Sequence, residues 1–341
     1  MREGQAPKVA VTESLWELFP GSNLLSRDLL AYDSNDLGSN SMKKLRILVS
    51  LVSNENDYQR EQARAVTEMA ERLGAEVQII YADGDSINQS QQLLDMIQAA
   101  PNARPDAIVC HPAGTGLSQV ARTAVANGIG WAVVNREVDY LSELRANGKV
   151  PTFCITIDQE EVGRIQARQI ATLLPQGGLV LYIQGPSGNF SSEQRTIGVE
   201  RAKPTNVQLR MLRGRFNEES GYHALKSWLR LSTSRQTQVD LVCSQNDNMA
   251  LGAKKALAEE GGRWADLTFI GCDASGSAGQ ERVRKGILAA SIALPTTAGL
   301  ALETFVRAYQ TGVPPQELTV LKPVSFPPEK QLLALIPAVK A

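Results

Sequence analysis

From residue 45 onward the chain alternates between two patterns. Short runs rich in Val, Ile and Leu occur at 45–52, 76–82, 106–111, 131–135, 152–157, 178–184, 207–213, 240–244, 267–272 and 288–293. Most lack polar–apolar alternation, which fits strands covered on both faces. Between them, apolar residues recur at helical spacing. Residues 59–73 set Ala63, Val66, Ala70 and Leu73 on one face and stop at Gly74. Glycine readily takes the left-handed conformation that closes a helix. Residues 90–99, 117–126, 162–174, 220–231, 249–260 and 298–310 behave alike, with stops such as Asn127-Gly128, Pro175, Gly261-Gly262 and Gly312. Strands joined by crossover helices make parallel sheets with right-handed connections. The predicted class is therefore α/β. About ten strands would strain one open sheet, so two similar sheets are expected, with 152–157 as a crossing between them.

Residues 1–42 break this pattern. Their hydrophobics are scattered (Leu15, Trp16, Phe19, Leu24, Leu29), and they end in Asp33-Ser-Asn-Asp-Leu-Gly-Ser-Asn-Ser41, a linker-like stretch. An N-terminal arm, disordered or loosely docked, is expected there.

Composition narrows the function classes. The 341 residues are 43% hydrophobic with a formal net charge of −1, and the basic residues are scattered. Neither nucleic acid nor an anionic membrane surface is favoured as partner. Cys110, Cys154, Cys243 and Cys272 are far apart in apolar runs and form no C-x-x-C pair. The two histidines, His111 and His223, have no metal-ligand spacing. Ile47–Val52 is too short to span a bilayer, and no basic stretch precedes a leader-like apolar run. As written, the sequence predicts a cytoplasmic location and no membrane insertion.

The candidate chemistry lies where strands end. Asp240–Cys243 runs into Gln245, Asn246 and Asp247, and Leu267–Ile270 runs into Gly271-Cys272-Asp273. Asn54 to Tyr58 follow the first strand, Asn135-Arg136 the fourth and Asp158 the fifth. Open α/β sheets hold ligands at the carboxyl ends of their strands. Asn supplies donors and acceptors, Asp acceptors and Arg a fork of donors, which suits a ligand dense in hydroxyls. Tyr58 and Phe216 offer flat apolar faces to a ring. Asn246 or Asp247 serves equally well as an N-cap for the helix near Met249, and both roles stay open. His111, before Pro112, reads as a loop histidine lining a cleft. Gly114-Thr-Gly116 lacks the third glycine of a dinucleotide loop, no phosphate loop is present, and Gly185-Pro-Ser-Gly188 lacks nucleophile-elbow spacing.

Taken in order, several strings resemble the type I periplasmic solute-binding proteins of the ribose- and galactose-binding kind. They are Asn56-Asp-Tyr-Gln59, Val133-Val-Asn-Arg136, Arg195-Thr-Ile-Gly198, Gln245-Asn-Asp-Asn-Met-Ala-Leu-Gly252, Gly271-Cys-Asp273 and Leu288–Ala293. The resemblance covers roughly residues 45–335. It implies two Rossmann-like, doubly wound parallel-sheet lobes joined by hinge strands and closing on a ligand. The implied organisation is an arm at 1–42, a first lobe of 43–157 plus 294–322, and a second of 158–293 plus 323–338. It implies ligand contacts from Asn56, Tyr58, Asn135, Arg136 and Leu294 on the first lobe and from Glu193, Phe216, Asn246 and Asp273 on the second.

Three single positions and one string depart from the family pattern. Asn135 stands where many relatives have Asp, Glu193 where ribose-type relatives place an arginine, and Leu294 where they have Gln. Asn56-Asp-Tyr-Gln59 replaces Asn-Pro-Phe-Phe. These changes move the expected ligand from ribose toward a differently hydroxylated sugar, a polyol or a ligand with a positive group. The resemblance implies a binding protein and not an enzyme, no cofactor and a monomeric state. The expected partner is a small sugar-like molecule, with an ABC permease or a sensor kinase as the protein partner. A cytoplasmic sugar-responsive regulator and an enzyme acting on a sugar derivative are the alternatives. The superfamily also includes repressors with a helix-turn-helix module of about 60 residues, a pattern the arm here lacks.

Overall fold

The computed structural model describes residues 44–332 apart from 148, 265 and 275. The arm expected at 1–42 lies outside the described residues, as do the last residues of the expected second lobe. Strands β1 (Arg46–Leu51), β2 (Glu76–Tyr81), β3 (Ala107–Cys110), β4 (Gly130–Val134) and β5 (Thr152–Ile157) alternate with helices α1 (Asp57–Leu73), α2 (Ser86–Gln98), α3 (Ser118–Ala126) and α4 (Leu141–Asn147). There follow α5 (Gln159–Leu173), β6 (Gly178–Gln184), α6 (Phe190–Ala202), β7 (Val207–Arg213), α7 (Glu218–Leu229), β8 (Leu241–Ser244), α8 (Asp247–Glu260), β9 (Thr268–Ile270) and α9 (Gly276–Arg284). The last described elements are β10 (Ser291–Ala293), α10 (Thr297–Thr311), β11 (Leu318–Leu321), β12 (Val324–Phe326) and the short α11 (Glu329–Leu332).

Two parallel sheets result. The first has six strands in the order β11-β5-β4-β3-β1-β2 and the second four in the order β7-β6-β8-β9. A third, two-stranded sheet pairs β10 with β12 antiparallel, Ile292 opposite Ser325. The chain therefore passes between the lobes three times: from β5 to α5, from β10 to α10 and from β11 to β12. β11 and β12 are absent from the sequence-based strands because they are short and bracketed by Pro314, Pro315 and Pro323; each buries a single residue. α9 was missed for a related reason: Gly279 and Val283 are its only buried positions.

The helices start and stop where their caps dictate. Asn56 accepts from the Gln59 N–H at the start of α1, and Gly74 closes that helix at φ 67°. The α1 face carrying Tyr58, Val66 and Ala70 packs in one core with Ala298, Ala301, Leu302 and Phe305 of α10 and with Val49, Val134 and Ile155 of the sheet. In the second lobe α5 and α6 cross at two glycines. A Cβ at Gly163 would lie 2.1 Å from the Arg195 carbonyl oxygen, and one at Gly198 would lie 2.1 Å from that of Glu160. This backbone-to-backbone approach fixes where α6 carries its inward-facing side chains.

Candidate functional site

The first lobe builds its wall around Asn135, which follows β4 at φ 69°. Its Oδ1 accepts from the Tyr58 hydroxyl at 2.6 Å and from Thr297 Oγ1 at 3.0 Å. Its amide nitrogen lies 3.3 Å from each ring nitrogen of His111. Gln59 Nε2 is 3.1 Å from His111 Nδ1, and the Tyr58 and His111 rings meet edge-on. Burial, with the Arg136 charge adding to it, lowers the imidazole to about 4, so His111 is neutral at ordinary pH. Burial likewise pushes the Tyr58 hydroxyl up and keeps it protonated. Arg136 gives Nη1 to the Gly114 carbonyl at 3.3 Å, while its Nε is buried with no hydrogen-bond partner among the described residues.

The second lobe answers with Phe216, Arg195 and Asp273. Asn246 accepts from the Met249 N–H at 2.9 Å and donates to the Phe216 carbonyl at 2.8 Å. It therefore caps α8 and at the same time holds the Phe216 loop. The Phe216 ring lies against Gly185, where a Cβ would come within 2.1 Å of Cζ. Gln245 supports the same loop cluster, accepting from the Gly185 N–H at 2.8 Å and donating to the Ser192 carbonyl at 2.9 Å. Arg195, 5% exposed, gives Nε to Gln159 at 2.8 Å and Nη1 to the Gln245 carbonyl. Its guanidinium stands 5.9 Å from the Phe216 ring centre and 4.0 Å from Asp273 Oδ1. Burial raises the Asp273 carboxyl to about 6, against the pull of Arg195 and of a hydrogen bond from Cys272.

Backbone strain gathers at the same place. Four described non-glycine residues have positive φ: Asp83, Asn135, Phe216 and Asp273. Three of them are the site residues just described. A left-handed bulky residue such as Phe216 costs on the order of 1–3 kcal/mol and persists where its surroundings hold it. Gly185 and Asn246 are what hold it here.

The two walls face one another across the crevice. The Arg136 guanidinium lies 5.8 Å from the ring centre of Phe190 on the other lobe. Asp57, in the first turn of α1, pairs with Arg282 of α9, whose Nη1 is 4.0 Å from the fully buried Asp247. Burial raises the Asp247 carboxyl well above its usual range, and a hydroxyl from Ser291 at 2.7 Å partly offsets this. The Asp57 N–H lies 3.4 Å from Asn248 Oδ1, and Asn217 donates to Glu55 at 3.3 Å. The lobes are thus closed on each other at the mouth of the cleft.

Not every expected side chain sits in this polar cluster. Glu193 is exposed on the first turn of α6, and Arg195, two residues on, is the one beside Asp273. Leu294 is buried in the core with Ile292 and Cys272. Asn56 caps α1 at the rim. Arg195 escaped the residue-level reading although its position was legible: Ser192, Arg195 and Val199 recur at helical spacing and form the buried face of α6. Among the described residues no group of three or more His, Cys, Asp or Glu is placed to hold a metal ion. Among them, too, no helix is long and apolar enough to cross a membrane.

The family model of the periplasmic binding protein domain matches residues 47–300. The chain is 27% identical over 237 residues to the ribose import binding protein of Bacillus subtilis (strain 168), covering 69% of this chain and 72% of that protein. It is 28% identical over 234 residues to the D-xylose-binding periplasmic protein of Escherichia coli (strain K12), covering 67% of this chain and 66% of that one. The fold is shared with the Caulobacter myo-inositol binding protein, solved with myo-inositol bound, at a TM-score of 0.71 and 23% identity over 86% of this chain and 96% of that one. It is shared also with a galactofuranose binding protein at a TM-score of 0.71 and 21% identity, over 85% and 97% of the two chains.

Proposed function

The chain belongs to the periplasmic binding protein domain family, and from that membership we propose that it reversibly binds a small polyhydroxylated solute between its lobes without turning it over. The observation that carries this reading is the convergence of Tyr58, His111, Asn135 and Arg136 on one lobe with Phe216, Arg195 and Asp273 on the other, the Tyr58 hydroxyl lying within electrostatic reach of Asp273 and Arg195. Flat aromatic faces suit C–H surfaces, and the carboxylate, amide and guanidinium suit hydroxyls. The relatives above carry the names of ribose and xylose, two small hydroxylated molecules. In this reading Asn56 shapes the rim, Glu193 stands at the cleft edge, and Leu294 and Asn246 back the walls. Closing the lobes presents a composite surface to an ABC permease or a sensor kinase.

Thermal unfolding against pentoses, hexoses, polyols and furanoses tests the reading. A ligand at 100 times its Kd adds about 2.7 kcal/mol, which raises the midpoint by several degrees. Asp273→Ala should abolish the shift given by whichever solute stabilises the wild type. Equal shifts in both proteins would remove Asp273 from the binding wall.

A further inference from the structure

We propose that the solute carries a carboxylate, so that the cleft is built for a sugar acid and not for a neutral sugar. This rests on the cleft reading above and narrows it to a ligand class. The argument starts from Arg136. Its Nη1 is tied to the Gly114 carbonyl at 3.3 Å, and the guanidinium is set against the Phe190 ring at 5.8 Å. The edge formed by Nε and Nη2 is left over. Nε is buried and has no hydrogen-bond partner among the described residues. Two parallel N–H groups on one guanidinium edge match the two oxygens of a carboxylate.

Nothing on the same wall neutralises this cation. The neighbouring strand-end side chain is the amide Asn135, not a carboxylate. Its Oδ1 already accepts from both Tyr58 and Thr297, which takes up that oxygen's capacity. His111 is neutral. Glu137 and Asp139, just after Arg136, are exposed, and no ion pair among the described residues includes Arg136. The remaining charges pair with one another. Asp273 faces Arg195 at 4.0 Å, and Asp57 faces Arg282. Asp247 also lies 4.0 Å from Arg282, so Arg136 is the wall cation without an anionic partner among the described residues, and a bound monoanion supplies one. A closed, dehydrated cleft penalises an unpaired charge, so the missing partner translates into selectivity. Asp273, held 4.0 Å from Arg195 on the opposite wall, orients the ligand. Its hydroxyls point to the second lobe and its carboxylate to Arg136.

Calorimetric titration with matched pairs tests the proposal: D-galactose against D-galacturonate and D-galactonate, and D-glucose against D-glucuronate and D-gluconate. An acid is expected to bind at least tenfold more tightly than its neutral parent. The preference should weaken as salt is raised and collapse in Arg136→Gln. Arg136→Lys, which keeps the charge and loses the fork, should retain part of it. Circular dichroism and the melting midpoint of the unliganded variants check that they fold. A neutral parent that binds as tightly as its acid, or an acid preference that survives Arg136→Gln, overturns the ligand class and leaves the cleft reading standing. Silence from every member of both columns overturns the two together.

Discussion

Asp273→Asn should flatten the response of stability to pH. In the folded protein the carboxyl sits at about 6, against an ordinary 3.8, because burial disfavours its charged form. A raised folded value means that stability is fully present below the unfolded value. It is lost as pH rises through the folded one. The difference between 3.8 and about 6 corresponds to about 3 kcal/mol. Most of that, roughly 2.5 kcal/mol, falls between about pH 4 and pH 7. The assay is urea unfolding of the unliganded protein followed by tryptophan fluorescence, wild type against Asp273→Asn, at closely spaced pH values. The wild type should lose roughly 2.5 kcal/mol relative to the variant across that window. Asp247 is also raised, but it is present in both proteins and largely cancels. Parallel pH curves for the two proteins would mean that Asp273 is not desolvated as its 5% exposure implies. A wild type that gained stability with pH relative to the variant would reverse the sign and refute the reasoning outright.

Three further outcomes follow from geometry already described. Arg282→Gln breaks the link from Asp57 on one lobe to buried Asp247 on the other; ligand dissociation measured by stopped flow should quicken about tenfold with little change in association. Gly163→Ala drives a methyl to 2.1 Å from the Arg195 carbonyl and should cost about 3 kcal/mol in chemical denaturation, with ligand affinity falling because α6 moves. Asn246→Ala removes the α8 cap and the donor to the Phe216 carbonyl and should cost about 2 kcal/mol; Asn246→Asp keeps the cap and should restore about half of that.

The lobes were legible because buried parallel strands are written as unbroken Val, Ile and Leu runs. Ala107–Cys110 and Thr152–Ile157 are buried at every position, and the sequence marks them without alternation. The strand-end rule pointed to Tyr58, Asn135, Arg136 and Asp273 because it concerns topology, which the pattern conveys, whereas Phe216 came from the family resemblance. It did not say which polar groups would be consumed internally. Asn246 and Asn135 look alike in sequence, yet one is engaged on two backbone atoms while the other is the hub of a side-chain cluster. Arg195 was passed over because a charged residue on an amphipathic helix is normally assigned to the wet face. The close α5–α6 crossing at Gly163 and Gly198 turns it inward, and that crossing is a tertiary fact. The Asp57–Arg282–Asp247 chain joins residues far apart in sequence, and no local pattern announces it.

The threefold passage of the chain between lobes also sets an order of completion during synthesis. The four strands of the second sheet lie within one unbroken stretch, from β6 to β9. The first sheet does not close its books so early. Its edge strand β11 and its covering helix α10 are translated only after the whole second sheet. Until then the faces of Val49, Val134 and Ile155 lack Ala301, Leu302 and Phe305, against which they pack in the finished core. The lobe that begins first on the ribosome is the last to be sealed, and it waits with apolar surface open to any binding partner that holds nascent chains.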